Sequence, residues 1–244
     1  MIISRQNEFV KHIRSLKEKK YRDLYGEYVV EGIKLTMDAA LSGADVIAVA
    51  TVSEYYERVK GVSEKCEILS EDVFKSVSDE VTPQGVIAVI KKPAESDTVS
   101  QGKSLFLDGV SDPANVGAIV RSAAAFGFNT VFIASGADPY SGKSVRASMG
   151  GIFRVKIATG ERNALIGKVK VPIICADMGG EDLKISEVPE KFCLAIGNEA
   201  HGVSEEIRKC AVKTVAIPMQ NGMESLNAAV SAGIIMYGLT YKNK

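Results

Sequence analysis

The sequence predicts an α/β protein of two units, a smaller one followed by a larger one with a mainly parallel sheet. Short apolar runs typical of strands alternate with helix-like segments along the 244-residue chain. Most runs in the second unit are continuously apolar, which is typical of strands covered on both faces of a parallel sheet. A polar stretch at 93–103 (PAESDTVSQGK) has the composition of a linker. We therefore predict domains at 1–95 and 104–244, joined by a linker over 96–103.

The N-terminal unit begins with a helix predicted over 5–22, in which Phe9, Ile13 and Leu16 recur at helical spacing. After this helix, strand-like runs alternate with helix-like segments, as expected of a compact α/β unit. The strand-like runs lie at 27–32, 45–50, 66–69 and 84–92.

The second unit is expected to carry the parallel sheet. Its first strand-like run, 104–110, precedes a helix from about 113 to 126, with Asp112 as N-cap and Pro113 as the first helical residue. Its final helix, 226–240, is apolar all round, which predicts burial on both sides. One side would cover the sheet, and a second copy of the chain would cover the other. The remaining strand-like runs lie at 130–135, 152–158, 171–177, 192–197 and 214–218.

The composition is that of an ordinary globular protein without a global bias towards nucleic acid or membrane. Hydrophobic residues make up 46% of the chain and charged residues 25%, and the formal net charge is zero. No run approaches the roughly 20 apolar residues of a membrane span, and the N-terminus lacks the apolar core of a signal peptide. Four cysteines without close pairs and only two histidines predict a reduced, cytoplasmic protein without a metal site.

One segment departs from this neutral charge. Between positions 5 and 22 the chain carries two acids, Glu8 and Glu18, against a larger set of cations. Such an excess predicts a phosphate-binding face, although a solvated helix face has the same composition. From the residues alone both interpretations stay open. The candidate phosphate-binding residues are Arg5, Lys11, Arg14, Lys17, Lys19, Lys20 and Arg22.

Three polar loops follow predicted strands at the edge where parallel sheets bind ligands. Asn115 and Arg121 belong to the first; on local grounds they are a helix-start amide and a solvated cation. Glu199, in the second, lies before the next helix and has no structural explanation. In the third, Ser225 and Asn227 either cap the final helix or bind a ligand. The chain has neither a G-x-G-x-x-G nor a P-loop pattern.

Read together, these loops resemble the three motifs of the SpoU/TrmH branch of the SPOUT RNA methyltransferases. The similar segments are NVGAIVR at 115–121, AIGNEAHGVS at 195–204 and IPMQNGMESLNAAVSA at 217–232. Their order and spacing agree with the family across roughly 105–240. The N-terminal unit, including KEKKYRDLYGEYVVEG at 17–32, resembles the ribosomal-protein-like substrate-binding domain that precedes this catalytic domain in many members.

The resemblance implies a SPOUT α/β-knot, in which a deep trefoil knot near the C-terminus of the parallel sheet holds S-adenosylmethionine in a homodimer. The resemblance also favours RNA contact by the basic N-terminal segment. It implies a reaction that uses no metal ion. The catalytic residues that it implies are Asn115, Arg121, Glu199, Ser225 and Asn227. The cofactor-binding residues that it implies are Ala176, Leu194, Ile196, Gly197, Asn198, Glu199, Ile217, Met219, Ser225, Leu226 and Asn227. His201, by contrast, is interpreted as incidental to the motif.

The implied reaction is methyl transfer to a ribose 2′-hydroxyl, with 23S ribosomal RNA as the expected substrate. Transfer RNA, and a catalytically silent RNA-binding or ribosome-assembly protein on the same fold, are the alternatives. Arginine stays protonated in proteins because its pKa exceeds about 12, so we favour Arg121 as an electrostatic clamp on phosphate rather than as a base. Glu199 would then orient Arg121 or the backbone.

Overall fold

The computed structural model describes residues 1–94, 98–223 and 225–241; residues 96 and 97 of the predicted linker therefore lie outside the described residues. The elements of the N-terminal unit are α1 (Glu8–Ser15), α2 (Lys19–Tyr25), β1 (Glu27–Glu31), α3 (Ile33–Leu41), β2 (Val46–Thr51), α4 (Tyr56–Val59), β3 (Cys66–Ile68), α5 (Glu71–Val77) and β4 (Val86–Lys91). Their strands form one mixed sheet in the order β1-β4-β2-β3. β4 runs antiparallel to both neighbours, and β2 and β3 are parallel.

The second unit contains the predicted parallel sheet, with the strand order β10-β8-β9-β5-β6-β7. Every pairing in this sheet is parallel, which confirms the predicted fold class, whereas the knot stays a prediction. Its elements are β5 (Ser104–Asp108), α6 (Pro113–Ala125), β6 (Thr130–Ala134), α7 (Gly142–Ser148), β7 (Lys156–Gly160), α8 (Arg162–Ile166), β8 (Ile173–Asp182), β9 (Cys193–Gly197), α9 (Glu205–Cys210), β10 (Ala211–Ala216) and α10 (Ala228–Tyr241). The strand predicted at 152–158 instead begins as a 3₁₀ turn, Gly151–Phe153.

Both faces of this sheet are covered, as the continuously apolar runs predict. Residues of α6, α7 and α10 pack on one face, and residues of α8 and α9 pack on the other. The central strand β5 is buried at every residue. Gly117 allows α6 to lie directly against α7, because a β-carbon there would sit 2.2 Å from the carbonyl oxygen of Ser144. The position of α6 is therefore fixed by both the sheet and α7.

The helix predicted over 5–22 is wrong as a single element, since α1 and α2 are separate helices. The backbone N–H of Leu16 closes α1 on the carbonyls of His12 and Arg14. The guanidinium of Arg22 donates to the carbonyl oxygens of Leu16 and Lys17, at 2.8 and 2.7 Å. Carbonyls at the end of a helix need such partners, and here a side chain supplies them in place of a further helical turn.

Arg22 corrects a second prediction, because it faces the interior of the protein rather than RNA. It is only 4% exposed, and its Nε and Nη2 atoms donate to one oxygen of Asp138 at 3.0 and 2.6 Å. Asp138 belongs to the segment before α7, so this ion pair joins the two units. Tyr28 and Tyr140 pack beside it with ring centroids 4.9 Å apart. Arg22 thus holds the N-terminal unit on the second unit.

The final helix has an exposed apolar face, which burial within one chain does not explain. Ala232, Ile235 and Met236 are buried against the sheet. On the other side Val230 is 50% exposed and Tyr237 is 59% exposed. The ring of Phe126, the residue directly after α6, lies with its centroid 5.9 and 6.3 Å from those of Tyr237 and Tyr241. Covering of this face by a second copy of the chain stays a prediction.

Within residues 1–94, 98–223 and 225–241, no helix has the length and apolarity that a membrane crossing requires. Over the same ranges, His, Cys, Asp and Glu do not gather in groups of three or more that could hold a metal ion.

Arg22→Gln should lower the free energy of unfolding by about 3–5 kcal/mol, because it leaves Asp138 buried without its ion-pair partner. The matched control is Lys11→Gln, which removes an exposed cation paired with Glu8 one helical turn away. It should change the same quantity by less than about 0.5 kcal/mol. Denaturant unfolding of the three proteins measures both values. A similar small loss in both variants would contradict the role given to Arg22.

Candidate cofactor and substrate site

A cavity of about 360 Å³ opens where β8, β9 and β10 end, at the carboxyl edge of the parallel sheet. Its first wall is a bulge in β8. Thr214 of β10 pairs with Cys175, but the next residue, Val215, pairs with Glu181, so 176–180 leave the ladder. At the end of the bulge, Gly180 lies directly against the backbone of β10. A β-carbon there would lie 2.6 Å from the carbonyl carbon of Val215, so this close approach requires glycine.

The second wall is the tight loop that follows β9. The side-chain amide of Asn198 donates to the carbonyl of Gly109 at 2.8 Å, and its oxygen accepts from the N–H groups of Ala200 and His201. Asn198 and Gly202 also exchange two backbone hydrogen bonds. A β-carbon on Gly197 would lie 2.1 Å from the carbonyl carbon of Gly202, so only glycine fits. Contacts within the chain therefore define the shape of this loop, as is common for ligand sites.

The third wall is the segment between β10 and α10, and it is mainly apolar. Ile217, Met219 and Leu226 line the cavity from this side, and Ser225 adds a hydroxyl group. Together with Ile196 these side chains offer flat apolar surfaces of the kind that accept an aromatic heterocycle. The apolar walls and the neighbouring backbone groups together suit a nucleoside.

A chain of hydrogen-bonded side chains joins the three predicted motifs beside this cavity. The amide of Asn227 donates to the side-chain oxygen of Asn115 at 3.0 Å. The amide of Asn115 donates in turn to Glu199 at 2.9 Å. Asn227 also caps α10, since its side-chain oxygen accepts from the N–H groups of Ala229 and Val230 at 2.9 and 3.3 Å. The capping and binding interpretations of Asn227 are therefore compatible.

Arg121 does not join this chain of hydrogen bonds. It lies six residues after Asn115 on α6, which places it about 9 Å further along the helix axis and about 120° round it. Arg121 is exposed, and no hydrogen bond or ion pair links it to another described residue. Glu199 bonds Asn115 instead, so within one chain the structure does not support the hypothesis that Glu199 orients Arg121.

The predicted cofactor residues divide into lining residues and two others. Leu194 is fully buried inside β9 and does not line the cavity. Asn227 lies at the edge, in the hydrogen-bonded chain. Those that line the cavity are Ala176, Ile196, Gly197, Asn198, Glu199, Ile217, Met219, Ser225 and Leu226.

Several lining residues were missed by the sequence analysis, among them Asp177, Arg208 and His201. Asp177 is the last residue of a predicted strand, so its position at the carboxyl edge was a usable signal. Arg208 lies inside α9, and no signal in the sequence indicated that it lines the cavity. It donates to Asp177 at 2.5 Å and to the carbonyl of Val203 at 2.9 Å. His201, interpreted as incidental, lines the cavity as well.

The Asp177–Arg208 pair gives this wall a defined charge. Burial alone would raise the pKa of Asp177, but hydrogen bonds from the N–H of Gly179 and from Arg208 outweigh it and leave that pKa below its usual value. The hydrogen bond to Asp177 raises the pKa of Arg208 in turn. Both groups are charged at neutral pH. With Glu199 they make the lining net negative by one charge, which suits a cationic ligand.

A ligand cavity at this edge of a parallel sheet, with nucleoside-like apolar walls and an anionic, amide-lined mouth, defines an α/β enzyme that binds a nucleoside cofactor. Comparison with known proteins narrows the class. Residues 103–237 match the model of the SpoU rRNA Methylase family, and residues 7–88 match an MRM3-like substrate binding domain. The chain belongs to the SpoU rRNA methylase family and is an S-adenosylmethionine-dependent RNA methyltransferase.

Full-length relatives share this organisation. The 23S rRNA (guanosine(2553)-2'-O)-methyltransferase RlmP of Bacillus subtilis (strain 168) is 30% identical, with 98% of each chain covered. The 23S rRNA (uridine(2479)-2'-O)-methyltransferase of Streptomyces viridochromogenes is 28% identical over 97% of this chain and 90% of its own. The crystal structure of the AdoMet-bound rRNA methyltransferase from Sinorhizobium meliloti superposes with a TM-score of 0.88 at 27% identity, covering 98% of this chain and 96% of that one.

Substitution by alanine at two adjacent glycines of the β8 bulge should affect cofactor affinity differently. Gly180→Ala places a methyl group against the β10 backbone, and overpacking of this kind costs roughly 1–3 kcal/mol. Gly179→Ala meets only the carboxylate of Asp177, at an ordinary 3.7 Å. Calorimetric titration with S-adenosylhomocysteine should therefore show at least a fivefold weaker affinity for Gly180→Ala and an unchanged one for Gly179→Ala. Equal effects would contradict the geometry of the bulge.

Proposed function

We propose that this protein transfers the methyl group of S-adenosylmethionine to a ribose 2′-hydroxyl of 23S ribosomal RNA. The observation that carries the proposal is the hydrogen-bonded chain Asn227–Asn115–Glu199 at the mouth of the cavity. It joins polar groups from all three motifs, which supports a role for them where a hydroxyl group would meet a cofactor methyl group. Two relatives that align over nearly their whole length are named as 23S rRNA 2′-O-methyltransferases, which supports both the 2′-oxygen and the 23S substrate. An enzyme acting on this RNA would work in the cytoplasm.

The residues of the cavity fit this cofactor. Ile196, Ile217 and Leu226 would hold the adenine between apolar surfaces. Because Arg208 balances Asp177, the excess negative charge of the lining comes from Glu199, and it favours the cationic end of the molecule. S-adenosylmethionine, when bound, supplies a methyl group on a sulfonium whose thioether is already a good leaving group, so the reaction needs no metal ion.

The amide chain would position the nucleophile rather than activate it by itself. Asn115 has its oxygen engaged by Asn227 and one N–H engaged by Glu199, so its orientation is fixed before substrate binds. Its remaining N–H group, the hydroxyl of Ser225 and the second carboxylate oxygen of Glu199 are available to the ribose hydroxyls. Holding the hydroxyl oxygen within about 3–3.5 Å of the methyl carbon supplies a large part of the rate.

Arg121 would act from a second copy of the chain. Its side chain is exposed and makes no hydrogen bond to the amide chain of its own protomer, while Val230, Tyr237 and Tyr241 leave an apolar face on the adjacent α10. A homodimer that covers this face would bring the solvent face of α6 towards the partner's cavity. There the guanidinium would clamp the phosphate next to the target ribose and stabilise the oxygen as it loses its proton.

The N-terminal cations would hold the RNA backbone. Lys17 and Lys20 pair with Asp79 and Glu18 at 2.8 and 3.0 Å, but exposed ion pairs are weak and phosphates can replace them. Such contacts position RNA without reading its sequence, and they weaken steeply with salt. The exposed or partly exposed members of this set are Arg5, Lys11, Arg14, Lys17, Lys19 and Lys20.

The test is methyl transfer from labelled S-adenosylmethionine to unmodified 23S rRNA, followed by alkaline digestion. A methylated ribose blocks cleavage at its own phosphodiester, so the expected product is a labelled dinucleotide that resists alkali. Label only in transfer RNA would keep the chemistry and overturn the substrate. Absence of cofactor binding would overturn the activity in favour of a silent RNA-binding protein.

Arg121→Ala should reduce the rate of this transfer by about 10²–10³, the usual loss when one group that stabilises developing charge is removed. Arg121→Lys should recover little of it, because lysine lacks the planar fork. Arg58→Ala, at an exposed arginine of α4 in the N-terminal unit, is the control and should keep the full rate. Unchanged affinity for S-adenosylhomocysteine would show that the cavity is intact. A rate for Arg121→Lys equal to that of the unsubstituted protein would contradict the clamp.

A further inference from the structure

The short helix α2 has two faces with different partners. Arg22 faces inward to Asp138, whereas Tyr21, Leu24 and Tyr25 lie on the outward side. Leu24 is 70% exposed and Tyr25 is 46% exposed. Neighbouring large side chains exposed in this way commonly mark an interaction surface. The methyl-transfer mechanism uses none of these three outward residues.

The rings of this surface are held in a fixed arrangement. Tyr21 and Tyr25 lie with centroids 6.2 Å apart and planes only 12° from parallel. The ring of His12 meets Tyr25 edge-on at 4.9 Å, and His12 is itself bonded to Glu27 at 2.6 Å. Tyr25 is therefore supported by two rings while nearly half of the residue stays accessible. A planar ligand could stack there without first ordering the side chain.

The charges around the rings indicate which planar ligand fits. The ammonium of Lys20 lies 4.7 Å from the centroid of Tyr21, and Lys19 bonds Asp23 on the same helix. The side chains of Lys19 and Lys20 are each 66% exposed, so both can reach a ligand. Aromatic side chains combined with exposed cations, whose surface ion pairs phosphates can replace, are the features that bind unpaired nucleotides, through base stacking and phosphate contacts.

We propose that Tyr21, Leu24 and Tyr25 form a stacking surface for an unpaired base of the RNA, with Lys19 and Lys20 holding the adjacent phosphates. This inference rests on the proposed function, because it takes RNA as the substrate. The surface keeps a constant distance from the cavity, since Arg22 of the same helix is tied to Asp138 and the segment before α7. A base stacked on α2 would therefore help to select which ribose enters the cavity.

The experiment uses the full-length protein and two RNA probes of equal length. One is a hairpin with a 2-aminopurine in its unpaired loop, and the other is a fully paired duplex. Stacking on an aromatic ring contributes about 1–3 kcal/mol per base, so Tyr25→Leu should weaken hairpin binding roughly 5- to 150-fold. Its affinity for the duplex should not change. Tyr25→Phe, the matched control, keeps the ring and should retain both the hairpin affinity and the quenching of 2-aminopurine fluorescence.

Lysine variants separate stacking from charge. Lys20→Gln should lower the salt dependence of hairpin binding by about one unit of slope, whereas Tyr25→Leu should leave that slope unchanged. Tyr25 is exposed, so the thermal midpoint of Tyr25→Leu should equal that of the unsubstituted protein. A fall in that midpoint for Tyr25→Leu that Tyr25→Phe does not share would assign the ring a structural role and overturn the proposal.

Other results also overturn it. An equal loss of hairpin and duplex affinity in Tyr25→Leu would contradict the proposal. So would a failure of the unsubstituted protein to quench the 2-aminopurine fluorescence. Unchanged hairpin binding in Tyr25→Leu, together with weaker binding to large ribosomal subunits, would make this a protein-docking surface instead. Methyl transfer is assayed in parallel on 23S rRNA. Transfer without stacking would reject only the stacking surface, and stacking without transfer would reject only the proposed activity.

Discussion

The side-chain amide of Asn115 is the interaction on which the site depends. It accepts a hydrogen bond from Asn227 and donates one to Glu199, so one group joins segments separated by 84 and 112 positions in the chain. These segments end different strands, and only the parallel sheet brings the ends together. An amide suits this place because it donates and accepts at once without carrying charge, and so leaves the anionic character of the mouth to Glu199.

The position of Asn115 depends in turn on a series of close contacts. Gly117 lets α6 rest on α7, and the segment before α7 carries Asp138, whose carboxylate holds Arg22. Arg22 belongs to α2, so the helix that carries the stacking surface and the helix that carries the amide are connected by packed backbone and one buried ion pair. A change in the N-terminal unit could therefore alter methyl transfer without touching the cavity.

The apolar face of α10 and the aromatic face of α2 are exposed for the same physical reason. Burying α10 or the outer face of α2 within one chain would remove the surfaces that a second copy and an RNA base would use. Exposed apolar and aromatic side chains lower the stability of the isolated chain slightly and favour association. Their positions on two different helices are consistent with an enzyme that assembles its substrate contacts from more than one surface.

The sequence by itself determined the α/β class, the parallel second sheet and the three motif loops, because hydrophobic periodicity and residue type are local properties. It located Asn115, Glu199 and Asn227 but could not show that they bond one another. Only the tertiary structure decided that Arg22 is an internal ion-pair residue, that Arg208 lines the cavity and that Arg121 lies outside the hydrogen-bonded chain of its own site. Each of these features depends on contacts between distant segments. The residue type of a cation does not reveal whether it faces solvent, a phosphate or a buried carboxylate.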